Sequence, residues 1–197
     1  MYTKIFVVIF YLIALVGCCS RNTEGTTKNS IYMAVYNNDI SKIEKYIKCG
    51  GDINPNDNSD ISLLALASGY GDIEIISYLI NAGADLEAGN SSALFHAARR
   101  ERMEVVKLLL EKGANPNSRT KSYQTTPLMA AASYGNTEIC KLLISYKADP
   151  RLQNKAGKSA IDNARDNGFS DLALFLSSVH ENGEEKGSDP IDVSDSR

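Results

Sequence analysis

The sequence predicts an all-α solenoid of about five helix-turn-helix units, and three observations carry that prediction. Polar start positions recur at Asn29, Ser62, Ser92, Thr126 and Ser159, spaced 33, 30, 34 and 33 residues apart, a period that belongs to stacked helical repeats. Each start opens a short apolar run, a turn residue follows, and a second apolar stripe returns at helical spacing. Between units lie segments rich in Asn, Asp, Gly, Pro and Ser, the residues tight turns require. One such unit cannot bury its apolar face alone, so neighbours must stack.

The fourth unit, Thr126 to Arg151, is the most legible. Thr126 is an N-cap whose hydroxyl can accept from a free backbone N–H, and Pro127 stands at the first helical position, where a missing N–H costs nothing. Leu128 to Ser133 are mostly small and apolar, so this inner helix can be packed on both sides. Gly135 supplies the positive φ that ends it. A second, outer helix over Thr137–Tyr146 places Ile139, Leu142 and Leu143 on one face.

The other units follow the same plan. Ser92-Ala93-Leu94, the Val105 to Leu110 stripe and Gly113-Ala114-Asn115 form the third; Ser62-Leu63-Leu64, Ile75-Ile76, Leu79-Ile80 and Gly83-Ala84-Asp85 form the second. The first unit is degenerate, with Ile31, Ala34 and Val35 inside, Ile40, Ile43, Tyr46 and Ile47 outside, and Asn38 as turn residue. Asn tolerates the left-handed conformation better than most residues. Its outer helix carries Lys42, Glu44, Lys45 and Lys48 toward solvent, as an end cap should. The last unit uses Ile161, Ala164, Gly168, Leu172, Phe175 and Leu176, and its polar inner helix also suits a cap. In the third unit Glu101 stands where a turn glycine is expected, at a cost of roughly 1 kcal/mol.

These motifs resemble the ankyrin repeat, which runs Thr-Pro-Leu-His-x-Ala, Gly-His, Val-Val, Leu-Leu and Gly-Ala-Asp, and the resemblance covers Asn29 to Ser178. It implies connecting β-hairpin fingers between units, the Asn115 to Thr125 finger reaching furthest. The expected organisation is 1–17 a signal peptide, 18–28 a lipidated N-terminus and polar tether, 29–178 the repeats (29–58, 59–88, 89–122, 123–155, 156–178), and 179–197 a disordered acidic tail.

The front end carries the strongest targeting signal. Lys4, an apolar run from Ile5 to Val16 and Leu15-Val16-Gly17-Cys18 resemble a bacterial lipoprotein signal with lipidation at Cys18. An ordinary signal peptide or a buried apolar segment are the alternatives. Ile5 to Val16 is too short to span a bilayer. Of the four cysteines, Cys49 and Cys140 stand three repeats apart, too far for a disulfide with each other. Cys140, between Ile139 and Leu142, is expected to be a buried, inert thiol.

Composition narrows the functional classes. A net charge of −3 gives no general attraction to phosphate backbones, so nucleic acid is not an expected partner. With two histidines and no Trp, and no nucleophile elbow, zinc pair, phosphate loop or Cys-x-x-Cys, catalysis, metal and cofactor are not expected.

What remains is recognition. In the family resembled, residues after the inner-helix alanines and the finger tips line a concave face. Here that assigns Tyr36, Tyr70, His96, Arg99, Arg100, Arg102 and Tyr134 along the inner helices, with Arg119, Lys121 and Tyr123 on the longest finger, as partner-binding residues. Tyr and Arg bury area while keeping a hydrogen-bonding tip, the chemistry protein interfaces favour. Together with the lipoprotein resemblance, this implies a membrane-anchored, free-monomer binding protein at the outer membrane facing the periplasm. Its implied role is that of an immunity protein neutralising a secreted lipase-type toxin. A scaffold for an envelope complex or an oxidative-stress enzyme, and a host-directed effector, are the alternatives.

Overall fold

The computed structural model describes residues 28–57 and 59–184; the expected signal peptide, Cys18 and most of the tether and tail lie outside them. Among the described residues are five helix pairs: α1 Lys28–Tyr36 with α2 Ile40–Lys48, α3 Leu63–Tyr70 with α4 Ile73–Asn81, α5 Ala93–Arg99 with α6 Met103–Glu111, α7 Pro127–Ser133 with α8 Thr137–Ser145, and α9 Ala160–Asp166 with α10 Ser170–Glu184. The inner helices α1, α3, α5, α7 and α9 pack on one another in chain order, and each outer helix leans on its own inner partner.

Four of the five start positions cap an inner helix, whereas Asn29 lies inside α1. Ser62, Ser92, Thr126 and Ser159 each accept a hydrogen bond from the backbone N–H three residues on, at 3.1, 3.3, 3.2 and 3.2 Å. Such a cap stabilises a helix by about 1 kcal/mol. Ser159 completes a reciprocal box, its own N–H donating to the Asp162 carboxylate at 2.9 Å. Inner helices of seven or eight residues are too short to persist alone. They stand because Leu63, Leu64, Leu94, Leu128 and Ala131 are essentially sealed from solvent between neighbouring repeats.

The turn between inner and outer helix is left-handed at Asn38, Glu101, Gly135 and Gly168, with φ of 52°, 58°, 70° and 84°. Repeat two differs. Its inner helix runs one residue longer, and Gly71 there has φ −79°. A side chain at Gly71 would press at 3.2 Å on the Ala67 backbone and on Val35 of the preceding repeat, so this glycine serves close packing. At the other end of each repeat, Gly50, Gly83 and Gly113 take positive φ; in repeat four Lys147 occupies the equivalent place at φ 70°.

Two expectations are corrected. The connecting segments do not form β-hairpins: the described residues hold only isolated bridges, Asn56 with Ser62 and Ile61 with Gly89. The bridges lie in the first finger and between it and the second, and Asp57 and Asn154 fold their own loops back by accepting from backbone N–H groups two and four residues on. The boundary at 178 is also too early, since α10 continues to Glu184.

Side chains lock each repeat to the next. Asn54 accepts from the Asp85 N–H at 2.8 Å, Glu87 from the Asn115 N–H at 3.0 Å, and Asn117 from the Asp149 N–H at 2.8 Å. Cys140 is free and buried, its thiol pushed up to about 12 by burial, so it is inert at neutral pH. Cys49 is disulfide-bonded, but not to Cys140.

Candidate functional site

The inner helices end on one side of the stack, so the residues seven and eight positions after each start form two rows. The first reads Tyr36, Gly69, Arg99, Ser133, Asp166; the second reads Asn37, Tyr70, Arg100, Tyr134, Asn167. Tyr36, Tyr70 and Tyr134 are 51, 44 and 54% exposed. Exposed aromatic rings in these two adjacent rows give this face its character.

Contacts run diagonally between the rows. The Tyr36 and Tyr70 rings lie 5.3 Å apart, tilted by 56°, inside the range where aromatic pairs attract. The Arg100 guanidinium sits 4.4 Å above the centre of Tyr70, a cation–π contact. The Arg100 stem passes close to Gly69: a β-carbon there would touch Arg100 Cγ at 3.8 Å, an ordinary van der Waals contact. Tyr36, Tyr70 and Arg100 thus form one continuous strip across three repeats.

Not every expected contact residue belongs to this surface. His96 is buried, with Nε2 2.9 Å from Ser91 Oγ and its ring edge-on to Phe95. Burial, with the Arg99 charge second, lowers its pKa to about 4. It occupies the register of Leu66 and Ala130, which are also buried, and is a neutral packing residue that cannot touch a partner. Arg102 is half-buried; its guanidinium donates to the carbonyls of Ala67 and Ser68 at 3.2 and 3.4 Å, capping the negative C-terminal end of α3. Arg99 is half-buried beside the strip.

The finger residues divide similarly. Lys121 pairs with Asp60 at 3.3 Å and its N–H donates to the Asn90 carbonyl, while Arg119 donates to the Gln153 carbonyl at 3.2 Å. Both brace neighbouring fingers. Tyr123, at the finger tip, is 72% exposed.

The described residues hold no group of three His, Cys, Asp or Glu able to bind a metal, and no helix among them is long and apolar enough to cross a membrane. The fold defines a stacked helical-repeat protein. The family model of ankyrin repeats matches residues 31–120 and 118–188, and the chain belongs to the ankyrin-repeat family, whose fold is a non-catalytic scaffold.

Among similar proteins are the ankyrin repeat and KH domain-containing protein mask-1 of Caenorhabditis elegans, 38% identical over 57% of this chain and 4% of its own, and the E3 ubiquitin-protein ligase Ufd4 of Drosophila melanogaster, 34% identical over 70% and 5%. A third is the glycerophosphocholine phosphodiesterase gde1 of Schizosaccharomyces pombe, 36% identical over 56% and 10%. The chain spans between 4 and 10% of the length of these relatives.

These findings correct the reading taken from the front end. The relatives belong to a nematode, a fly and a yeast, so the bacterial lipoprotein resemblance does not hold. The outer-membrane location, the lipid anchor and the lipase-type toxin partner of an immunity protein fall with it. The physical reason is specificity: a twelve-residue apolar run before Gly-Cys is a short, compositional match, whereas the repeat signal involves many coincident positions. Cys18 itself lies outside the described residues.

Proposed function

We propose that the chain is a protein-binding module that engages another protein through the inner-helix face, with Tyr36, Tyr70 and Arg100 at its centre and Tyr134 and Tyr123 toward its C-terminal half. The observation that carries this is the strip of stacked, exposed aromatic and guanidinium groups at repeat-equivalent positions. Isolated exposed tyrosines are ordinary; three successive repeats contributing to one contact chain are not. A preformed rigid face binds with little ordering cost.

The relatives support a role that is not chemical. Proteins named for a ubiquitin ligase and a phosphodiesterase share with this chain only a small fraction of their length, so the shared segment is not where their named activities differ. Partners trapped on the protein by a photoreactive residue placed at Tyr70 test the proposal. Crosslinks that form at Tyr70 and not at Lys107, on the solvent side of α6, are the expected result. Equal labelling at both positions overturns it.

A further inference from the structure

Resting on that reading of the docking face, we infer that its central pocket of charge takes an acidic peptide segment, an Asp or Glu carboxylate seating on Arg100 beside Arg99. The carboxylate's neighbouring side chain then packs on the Tyr36–Tyr70 pair.

The chain as a whole is acidic, with 24 carboxylates against 21 basic side chains. Among the described residues, Lys48, Lys107, Lys121, Lys141, Lys158, Arg151 and Arg165 each pair with a carboxylate. Arg99 and Arg100 pair with none, as is also true of Lys42, Lys45, Lys112, Lys147 and Lys155; what distinguishes the two arginines is that they are adjacent, repel each other and lie beside the exposed Tyr70 ring. Arg99 Nε is buried without a hydrogen-bond partner. Arg100 is exposed and hydrated in the free protein, and an anion seated between the two guanidinium groups relieves their mutual repulsion.

Geometry selects a carboxylate presented on a peptide. Contact with the Tyr70 ring holds the Arg100 guanidinium in place, and its fork of N–H groups suits a bidentate carboxylate, so less freedom is lost on binding. The flanking groups are tyrosine rings and a glycine backbone, which suit an apolar or aromatic neighbour of the acid. A nucleic-acid strand would meet two cations here and an acidic protein elsewhere, too few contacts for a phosphate backbone.

Selection from a random twelve-residue peptide display library on the full chain tests the inference. Expected are clones enriched in Asp or Glu, with a synthetic copy of the leading clone binding about tenfold more weakly to Arg100→Gln and to its own Asp→Asn or Glu→Gln version. Arg100→Lys keeps the charge but loses the fork and the stack, and should recover only part of that loss. Rising salt should weaken binding.

Enriched clones without acidic residues that still lose binding in Tyr70→Ala overturn the acidic specificity and leave the docking face standing. Clones insensitive to both Tyr70→Ala and Arg100→Gln, or no enrichment at all, overturn the face as well. Tighter binding of a single-stranded RNA twelve-mer than of the leading peptide also overturns the inference. Arg100 is exposed, and unchanged circular dichroism of each variant separates lost binding from lost fold.

Discussion

Acidification should destabilise the stack through His96, and the size of the effect follows from its surroundings. The imidazole is 6% exposed, bonded to Ser91 and close to the Arg99 charge, so folding holds it neutral and its pKa falls from 6.5 to about 4. A depressed pKa means that the unfolded chain takes up the proton first. The His96 contribution is therefore complete above pH 6.5 and is lost as pH falls toward 4. At 1.36 kcal/mol per unit the full loss is roughly 3 kcal/mol, of which about 2.5 kcal/mol is gone by pH 4.5.

Urea unfolding at pH 7 and pH 4.5 measures the drop, and His96→Leu isolates it, because Leu66 fills the same register in repeat two. Carboxylates contribute to both proteins alike, so the wild-type chain should lose about 2.5 kcal/mol more than the variant. Parallel losses in the two proteins would refute the reasoning, since an imidazole that titrates normally in the fold contributes no such difference.

Leu109→Ala, emptying a fully buried site on α6, should cost about 2 to 5 kcal/mol in the same assay at pH 7. Glu101→Gly and Lys147→Gly replace side chains held at φ 58° and 70°; each should raise the melting temperature, by an amount corresponding to roughly 1 kcal/mol. Arg102→Ala removes the donor to the Ala67 and Ser68 carbonyls and should lower stability by about 1 kcal/mol, while leaving peptide affinity at Arg100 unchanged. A matching loss of affinity would place Arg102 on the docking face after all.

The fold was legible because its signals are local and repeated. Thr126 and Ser159 cap where their chemistry says they should, and Gly135 turns left-handed as the break in the apolar pattern implies. The finger pairing was not legible, because Asp57 and Asn154 fold their own loops and the bridges are single, which no strand periodicity announces. The candidate face was half legible. The register of Tyr36, Tyr70 and Arg100 could be counted from the starts, but burial of His96 depends on which side of a short helix the adjoining repeat covers. Arg102 was misread for a related reason: its charge suggested a surface role, and only the folded chain brings the end of α3 within its reach. The front end misled because a short apolar segment followed by Gly-Cys is satisfied by composition alone.

The inter-repeat clasp from Asn54 to Asp85, Glu87 to Asn115 and Asn117 to Asp149 has a direction: in every case the earlier unit supplies the acceptor and the later one the amide. Among these three bonds, trimming the molecule from its C-terminal side frees only side-chain oxygens, which water satisfies readily. Trimming from the other side strips main-chain donors of the groups that fix a turn's shape. Shortened forms should therefore tolerate the loss of late units better than the loss of early ones, as a zipper opens more easily from one end.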